Sequence, residues 1–259
     1  MMGHMRALIG TNMAQNIYDD PQFFEGYRQL PRSQKGLDGA PEWQSLRALL
    51  PDMRGLEVVD LGCGYGWFSR WARDHHAQHV LALDVSVRML AEAAASGTTG
   101  GITYERADLE QLQLPVDTFD LAYSSLALHY IKDLSRLFTT VYASLKPGGR
   151  LVFSIEHPIY MAPTHPAWRD DDQGNRYWPL DNYQAEGARK TNWLAPDVIK
   201  YHRTMGTLLN QLIQAGFTLA HIEEWGPSQT QLDAQPALAE ETHRPMMLLV
   251  AADKTLPTT

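Results

Sequence analysis

Three closely spaced glycines follow a carboxylate at the end of a short apolar run, and they are the clearest sign of chemistry in the chain. Residues 58–66 read VVDLGCGYG, so Gly62, Gly64 and Gly66 alternate with single residues after Asp60. Glycine is needed where the backbone adopts a positive φ or passes close to a ligand. In open α/β sheets, ligands bind beyond the carboxyl ends of the strands. The segment therefore predicts a ligand-binding turn in preference to a tight connection without a ligand.

The type of ligand is indicated by the glycine spacing and by two carboxylates. The dinucleotide fingerprint is G-x-G-x-x-G, whereas the third glycine here comes one residue early. The Asp60 carboxylate would repel a pyrophosphate at the N-terminus of the following helix and would attract a cation such as an α-ammonium or a sulfonium. Asp84 ends the next apolar run, where an acidic residue can bind both hydroxyls of a ribose. The pattern favours a positively charged nucleoside.

Seven short apolar runs that could position these residues alternate with segments of helical periodicity. The strand candidates are residues 56–61, 79–83, 102–106, 119–124, 150–155, 217–224 and 245–252. Asp133 is a plausible N-cap for one of the helices, which the residues KPGG at 146–149 end. Gly216 occupies the C′ position of a later helix. This alternation is typical of βαβ units around a parallel sheet and predicts an α/β fold.

Five segments, in this order, resemble the motifs of class I S-adenosylmethionine-dependent methyltransferases, closest to the type 11 group that acts on small molecules. They are the glycine-rich turn at 58–66, the acidic strand end at 83–86, the loop at 107–109, the fourth strand at 119–121 and the turn at 145–151. The resemblance covers residues 41–155 by motif and 205–252 by architecture alone. It implies a Rossmann-like, doubly wound sheet of seven strands in the order 3-2-1-4-5-7-6, with the last strand antiparallel.

The resemblance implies S-adenosylmethionine as the cofactor and S-adenosylhomocysteine as the product. Asp84 would bind the ribose, Asp108 the adenine amino group and Met89 the adenine ring, although packing of an amphipathic helix explains Met89 equally well. Tyr27 and Arg28 are expected near the carboxylate of the donor, because arginine suits a carboxylate bidentately. The complete set of expected cofactor-binding residues is Tyr18, Tyr27, Arg28, Asp60, Gly62, Cys63, Gly64, Gly66, Asp84, Val85, Met89, Ala107, Asp108, Leu109 and Ser124.

Candidates for the catalytic residues follow the fourth and fifth predicted strands. Methyl transfer from a sulfonium is an in-line displacement, so the protein mainly aligns the acceptor and excludes water, and no metal is required. A base helps only when the acceptor arrives protonated. His129 would border the methyl group in the resembling family, and Glu156 and His157 follow the fifth strand directly. The alternatives are that His129 caps or hydrogen-bonds the cofactor, and that the other two residues merely begin a polar loop.

Two long stretches fit neither the strand nor the helix period. The sequence predicts a single domain over residues 1–259, with an N-terminal cap at 1–40, a lid insertion at 157–203 and a long connection at 226–244. The lid contains more aromatic residues than a disordered linker normally carries, so we expect it to cover the site. His202 and Arg203, near its end, either line the far wall of the site or begin a solvated helix.

Composition narrows the class of partner and the compartment. Among 259 residues there are 22 Lys and Arg and 30 Asp and Glu, a formal net charge of −8. This balance disfavours nucleic acid and anionic membranes, and no apolar run approaches the roughly 18 residues that indicate a membrane-spanning helix. The single cysteine, Cys63, cannot form an internal disulfide, so the cytoplasm is the expected location.

The favoured hypothesis is an S-adenosylmethionine-dependent methyltransferase whose partner is a small-molecule acceptor. Three alternatives remain: a methyltransferase for tRNA or protein, a Rossmann oxidoreductase that binds a nicotinamide nucleotide, and a cofactor binder without turnover. The accepting atom and the oligomeric state stay open, because one donor fold serves many acceptors.

Overall fold

Seven strands form one mixed sheet at the centre of the computed structural model, which describes residues 15–97 and 100–256. The strands of the described residues are β1 (Glu57–Leu61), β2 (His79–Asp84), β3 (Ile102–Arg106), β4 (Phe119–Ser125), β5 (Leu145–Glu156), β6 (Arg169–Asp170), β7 (Arg176–Tyr177), β8 (Gly187–Trp193), β9 (Ala195–His202), β10 (Thr218–Glu224) and β11 (Met247–Asp253). The order in the sheet is β3-β2-β1-β4-β5-β11-β10. Strands β1 to β5 pair in parallel, and β11 is antiparallel to β5 and β10. The predicted strand order is therefore confirmed, with β10 and β11 as its sixth and seventh strands.

Helices cover both faces of this sheet. They are α1 (Pro21–Arg28), α2 (Pro31–Gln34), α3 (Trp43–Leu49), α4 (Trp67–Asp74), α5 (Val87–Ala95), α6 (Leu134–Ser144), α7 (Pro158–Met161), α8 (Met205–Ala215) and α9 (Gln229–Ala234). The Asp133 carboxylate accepts the backbone N–H of Arg136 at the start of α6, and Gly216 ends α8 with a φ of 107°. Both boundaries confirm the predicted caps. Within the described ranges, no helix combines the length and apolarity that crossing a membrane requires.

Alternating side chains along the strands fill a hydrophobic layer on each face. The neighbours Val58 and Val59 of β1 belong to different layers, since successive side chains of a strand point to opposite faces. One layer includes residues of α6 and α8, and the other includes residues of α3 and α4. Burial of each large apolar side chain contributes roughly 1.5–3 kcal/mol. The two layers give the carboxyl ends of β1, β2 and β4 a rigid support.

The predicted lid contains more regular structure than its sequence indicates. Helix α7 opens it, β6 and β7 form a small hairpin, and β8 and β9 form a longer antiparallel hairpin. The sequence patterns indicated none of these strands. Strand β8 reads GARKTNW, and its partly buried positions alternate with exposed ones while most of its side chains are polar. An apolar alternation, the usual signal of a half-buried strand, is missing.

The cap packs against the lid hairpin, and the long connection contains short helices. Phe23 of α1 is buried in a cluster with Ala195 and Val198 of β9. The predicted cap also includes residues 1–14, which lie outside the described residues. Between β10 and β11, α9 begins with a capping box of Ser228 and Gln231, and a 3₁₀ turn follows at Pro236–Thr242. Cap, lid and connection thus lie around the carboxyl edge of the sheet.

Candidate active site

The carboxyl ends of β1, β2 and β4 border a cavity of about 90 Å³, which we call the cofactor chamber. Parallel strands of an open sheet end at a common edge, so residues distant in sequence meet there. Nine of the residues expected to bind the cofactor line this chamber: Tyr18, Tyr27, Gly62, Gly64, Asp84, Val85, Met89, Asp108 and Leu109. The loop that follows β4 completes its wall.

Gly62 and Gly64 shape the floor of the cofactor chamber in two ways. Both adopt a positive φ, 77° and 52° respectively, which side chains other than glycine rarely tolerate. A Cβ atom on Gly62 would lie 2.5 Å from the Cβ of Ala127, so this glycine lets the turn pack closely against the loop after β4. A Cβ atom on Gly64 would meet nothing within 4 Å. Gly64 therefore leaves open space on the chamber side of the turn.

Asp84 holds a fixed carboxylate at the end of β2. The backbone N–H of Gly64 donates to Oδ2 at 2.8 Å, and that of Ser86 donates to Oδ1 at 2.9 Å. Burial raises the pKa of Asp84 to about 6, although these two hydrogen bonds favour the carboxylate and act to lower it. Each carboxylate oxygen has a second lone pair. The residue is thus an oriented acceptor, mostly ionised at neutral pH, that suits a pair of hydroxyl groups.

Asp60 faces helix α4 instead of the cofactor chamber. Its side chain is buried, and the hydroxyl of Ser69 donates to Oδ2 at 2.6 Å. Burial raises the pKa of Asp60 to about 7, so its carboxyl carries only part of a negative charge at neutral pH. Asp60 does not line the cofactor chamber, and its expected attraction of a cation stays a prediction. The residue ties the end of β1 to the helix that follows the glycine turn.

Five other expected cofactor residues also lie outside the chamber wall: Arg28, Cys63, Gly66, Ala107 and Ser124. Arg28 is half exposed and pairs with a glutamate one turn earlier, and its expected contact with the donor stays a prediction. Gly66 precedes α4 at a φ of 69°, where a Cβ atom would lie 2.5 Å from the Tyr104 hydroxyl. The Ser124 hydroxyl donates to a carbonyl of β1 at 2.7 Å. Gly66 and Ser124 support the chamber from behind.

A second cavity of about 700 Å³, which we call the acceptor chamber, lies between the sheet edge and the three surrounding segments. Arg32 of the cap, Trp193 of the lid and Leu238 of the connection line it, together with Glu156 at the end of β5. Its volume falls within the range of roughly 300–1,000 Å³ that is common for small-molecule pockets. The lid and the cap therefore enclose a space of the size that a metabolite needs.

Four residues line both chambers and form their shared wall: Tyr18, Tyr27, Leu126 and Tyr130. The ring of Tyr18 contacts those of Tyr27 and Tyr130 edge to face, with centroids 5.2 and 5.9 Å apart. The hydroxyls of Tyr18 and Tyr130 are 3.3 Å apart. Leu126 has a φ of 51°, an uncommon conformation for a residue other than glycine. Groups bound in the two chambers would meet at this wall.

His129, Glu156 and Lys200 form a buried polar cluster in the acceptor chamber. The Lys200 ammonium donates to Oε1 of Glu156, and Nε2 of His129 lies 3.9 Å from the same oxygen. Burial lowers the pKa of His129 to about 4, which makes the imidazole neutral at pH 7. Burial alone would raise the pKa of Glu156, but its electrostatic interactions with His129 and Lys200 and the hydrogen bond from Lys200 hold it below the ordinary value. Nδ1 of His129 is buried and has no hydrogen-bond partner among the described residues.

His157, His202 and Arg203 have structural partners. His157 is buried, with Nε2 2.9 Å from a carboxylate oxygen of Glu224, and its Nδ1 accepts a backbone N–H at the start of α7. Nε2 of His202 lies 2.8 Å from the carbonyl oxygen of Tyr183, and the Arg203 guanidinium donates to two carbonyls after the loop of β4. None of the three lines the acceptor chamber. The catalytic expectation for His157 stays a prediction, whereas the burial of His202 and Arg203 contradicts a solvated helix start.

Comparison with known proteins decides the family. Residues 59–153 match the model of a methyltransferase domain family. The S-adenosylmethionine dependent methyltransferase from Mesorhizobium loti has 61% sequence identity, and its crystal structure superposes with a TM-score of 0.82 over 84% of this chain and all of that one. The chain belongs to the S-adenosylmethionine-dependent methyltransferases.

Two further relatives show how much of the methyltransferase is shared. A protein of Haemophilus influenzae is 32% identical over 251 residues, which are 92% of this methyltransferase and 97% of the relative. The malonyl-[acyl-carrier protein] O-methyltransferase of Erwinia billingiae is 37% identical over 131 residues, 49% of this chain and 51% of that enzyme. The first likeness extends over nearly the whole chain, and the second over half of it.

The cofactor chamber of the methyltransferase fits S-adenosylmethionine, the methyl donor of its family. Gly64 leaves the space that a nucleoside needs beside the backbone, Asp84 presents acceptors for ribose hydroxyls, and Met89 offers an apolar surface to a base. At about 90 Å³ the chamber is narrower than typical pockets. Gln15 and Tyr18 line it from the side of the cap.

Two residues of the acceptor chamber, Lys200 and Arg189 of the lid hairpin, escaped sequence analysis, whereas Trp193 belongs to the aromatic residues expected in the lid. One signal was present for Lys200. It lies two positions after Val198, in phase with a buried position of β9, and a buried lysine is rare unless it is paired. For Arg189, the polar sequence of β8 carried no comparable signal.

Proposed function

We propose that the methyltransferase transfers its methyl group to a small molecule bound in the acceptor chamber. The observation that carries this proposal is the shared wall of Tyr18, Tyr27, Leu126 and Tyr130, which joins the cofactor chamber to a lid-covered space of about 700 Å³. A polymeric acceptor needs an open trough, whereas cap, lid and connection surround this chamber. The net charge of −8 also counts against a nucleic acid.

The residues of the chain bind, orient and shield the reacting groups. A bound cofactor would supply a methyl group attached to a positively charged sulfonium sulfur. Transfer to the acceptor would break the bond between that sulfur and the methyl carbon and leave the sulfur as a neutral thioether. Gly64 and Asp84 hold the nucleoside at the sheet edge, while the tyrosine rings of the shared wall exclude water from the meeting point. His129 lines the acceptor chamber and is neutral, so a ring nitrogen that the bound acceptor reaches can take a proton from it.

Different observations support the methyl transfer and the choice of a small molecule as the acceptor. Half of the chain resembles a relative named for malonyl-[acyl-carrier protein], an acyl group carried on a protein. That likeness supports the methyl transfer itself, and the enclosed chamber supports a free metabolite as the acceptor. A cytoplasmic location is part of the same proposal, because the one cysteine, Cys63, needs no oxidising compartment.

The test is methyl transfer from S-adenosylmethionine with a radioactive methyl group into a bacterial cell extract divided by size. We expect the purified protein to label the small-molecule fraction, and we expect fractions of protein and of nucleic acid to stay at background. Boiled protein is the control. Label in the protein or nucleic acid fraction alone would overturn the proposal, and so would the absence of label in every fraction while the donor binds.

A further inference from the structure

The acceptor chamber carries an excess of positive charge, although the whole chain has a formal net charge of −8. Four basic residues line it, Arg32, Arg189, Lys190 and Lys200, and in the described part of the chain Glu156 is the one acidic residue beside them. A cleft whose charge opposes that of the surrounding protein concentrates ions of the opposite sign. The chamber therefore favours negatively charged molecules.

Three of the four cations have a carboxylate partner. Arg32 donates to the buried Glu42 at 2.9 Å, Lys190 lies 3.3 Å from an exposed aspartate, and Lys200 pairs with the glutamate at the end of β5. No described carboxylate lies within ion-pair distance of Arg189. The positive charge that remains uncompensated in the chamber is therefore that of Arg189.

The hydrogen bonds of Arg189 go to neutral groups. Its Nε donates to the carbonyl oxygen of Ala162 at 3.2 Å, and its Nη2 donates to those of Asn182 and Ala185. Nη1 makes one long bond of 3.4 Å to the carbonyl of Ala188. A guanidinium has five N–H groups, so one N–H on Nη1 has no partner in the part of the chain that the structure describes. The carbonyls orient the guanidinium without neutralising it.

The register of the lid hairpin places a second cation directly opposite. Arg189 of β8 faces Lys200 of β9 across the antiparallel pair, and directly opposed residues project from the same face. Like charges in this position are destabilising. Glu156 compensates Lys200 alone. An anion bound beside Arg189 would remove the remaining repulsion.

We propose that the methyl acceptor is an anion whose carboxylate or phosphate group binds at Arg189, opposite Lys200, in the acceptor chamber. This inference rests on the proposed function and names the class of its substrate. Arg189 acts as a specificity-determining residue: its guanidinium, oriented by the carbonyls of the lid, makes a charge-assisted hydrogen bond to an anionic oxygen. The rest of the acceptor occupies the aromatic and apolar part of the chamber.

The test compares matched probes by calorimetry with protein loaded with S-adenosylhomocysteine. The pairs are benzoate with benzamide, adipate with adipamide, and phenyl phosphate with phenol. We expect at least one anion to bind roughly ten- to a hundredfold more tightly than its neutral counterpart, since a hydrogen bond to a charged group has that effect. Preference for benzoate or adipate would identify a carboxylate acceptor, and preference for phenyl phosphate would identify a phosphate.

Arg189→Gln should abolish the preference for the anion while leaving the affinity for S-adenosylhomocysteine unchanged. Arg169→Gln, which removes an exposed arginine of the lid outside the chamber, is the matched control and should keep the preference. If Arg189 were only structural, its replacement would lower the melting temperature but leave the ratio of affinities unchanged, and the proposal would fail. It would also fail if the unaltered protein bound no anion more tightly than its neutral partner. Failure of S-adenosylhomocysteine to bind would instead contradict the proposed function.

Discussion

The cofactor chamber and the acceptor chamber share a wall but differ in origin. The cofactor chamber lies at the ends of parallel strands, where Gly62 and Gly64 of the glycine turn line it. The acceptor chamber is built from the side chains of the cap, lid and connection, three segments brought together over the sheet edge. Strand ends are positioned by the core, whereas the covering segments depend on contacts with one another. The fold therefore specifies the donor site, and the covering segments can change the acceptor.

The largest effect is expected on the acceptor side, from Lys200→Met. This change leaves the Glu156 carboxylate, whose side chain is 14% exposed, without its ammonium partner. Removal of one partner of a buried ion pair costs about 3–5 kcal/mol, which urea denaturation would measure as a lower free energy of unfolding. The double change with Glu156→Gln should recover part of this loss, because no unpaired charge remains.

Lys190→Met is the matched control for that experiment. The ion pair of Lys190 with Asp197 is exposed, at 67% and 73% for the two side chains, and such pairs contribute about 0–1 kcal/mol. Equal losses of unfolding free energy for the two lysine variants would show that the cluster of His129, Glu156 and Lys200 does not stabilise the acceptor chamber.

A pH-dependent effect of intermediate size is expected from His129. Its pKa is about 4 in the folded protein, against 6.5 for an ordinary histidine. Between these values the unfolded chain binds a proton that the folded chain does not, so stability falls as the pH falls. The free energy of unfolding changes by about 1.4 kcal/mol per pH unit in this range. His129→Gln should remove this part of the slope between about pH 6.5 and pH 4, measured by urea denaturation at each pH.

Subtraction of the two pH curves cancels the contributions of the other titrating groups. A difference that stays constant between pH 4 and pH 6.5 would mean that burial does not lower the pKa of His129 in the folded protein.

The smallest of these effects is expected on the donor side, from Asp84→Asn. The amide keeps the size of the side chain but removes one acceptor and the charge that receives ribose hydroxyls. Loss of such a hydrogen bond costs about 1.5–3 kcal/mol, so calorimetry should show S-adenosylhomocysteine binding roughly ten- to a hundredfold more weakly. Asp170→Asn, which alters an exposed carboxylate of β6, should have no effect. If the Asp84 variant bound S-adenosylhomocysteine as tightly as the unaltered protein, the expected contact between Asp84 and the ribose would be contradicted.

Predictions from sequence succeeded where a residue's role depends on local backbone geometry. The Asp133 and Gly216 caps, the glycine turn and Asp84 are determined by a few neighbouring residues, and each lies where the pattern indicated. Asp60 shows the limit. Its position beside the turn was predicted, but the direction of its side chain depends on Ser69 of the next helix.

The acceptor side was less predictable, because its residues meet only through tertiary packing. His129 and Glu156 lie in the acceptor chamber as expected from their strand ends. His157 follows directly in the chain but turns away to pair with Glu224. Lys200 reaches the site from β9 of the lid hairpin, where the one signal was its phase with the buried Val198.

The amino-acid sequence alone determined the alternating α/β architecture, the strand order through its family resemblance, and the turn that receives the methyl donor. These features follow from periodicity and from the conformational freedom of glycine, both of which act over a few residues. The tertiary structure decided which side chains enclose the acceptor and which of their charges remain unpaired. That choice depends on how the cap, lid and connection pack over the sheet, and packing between distant segments leaves little trace in the local sequence.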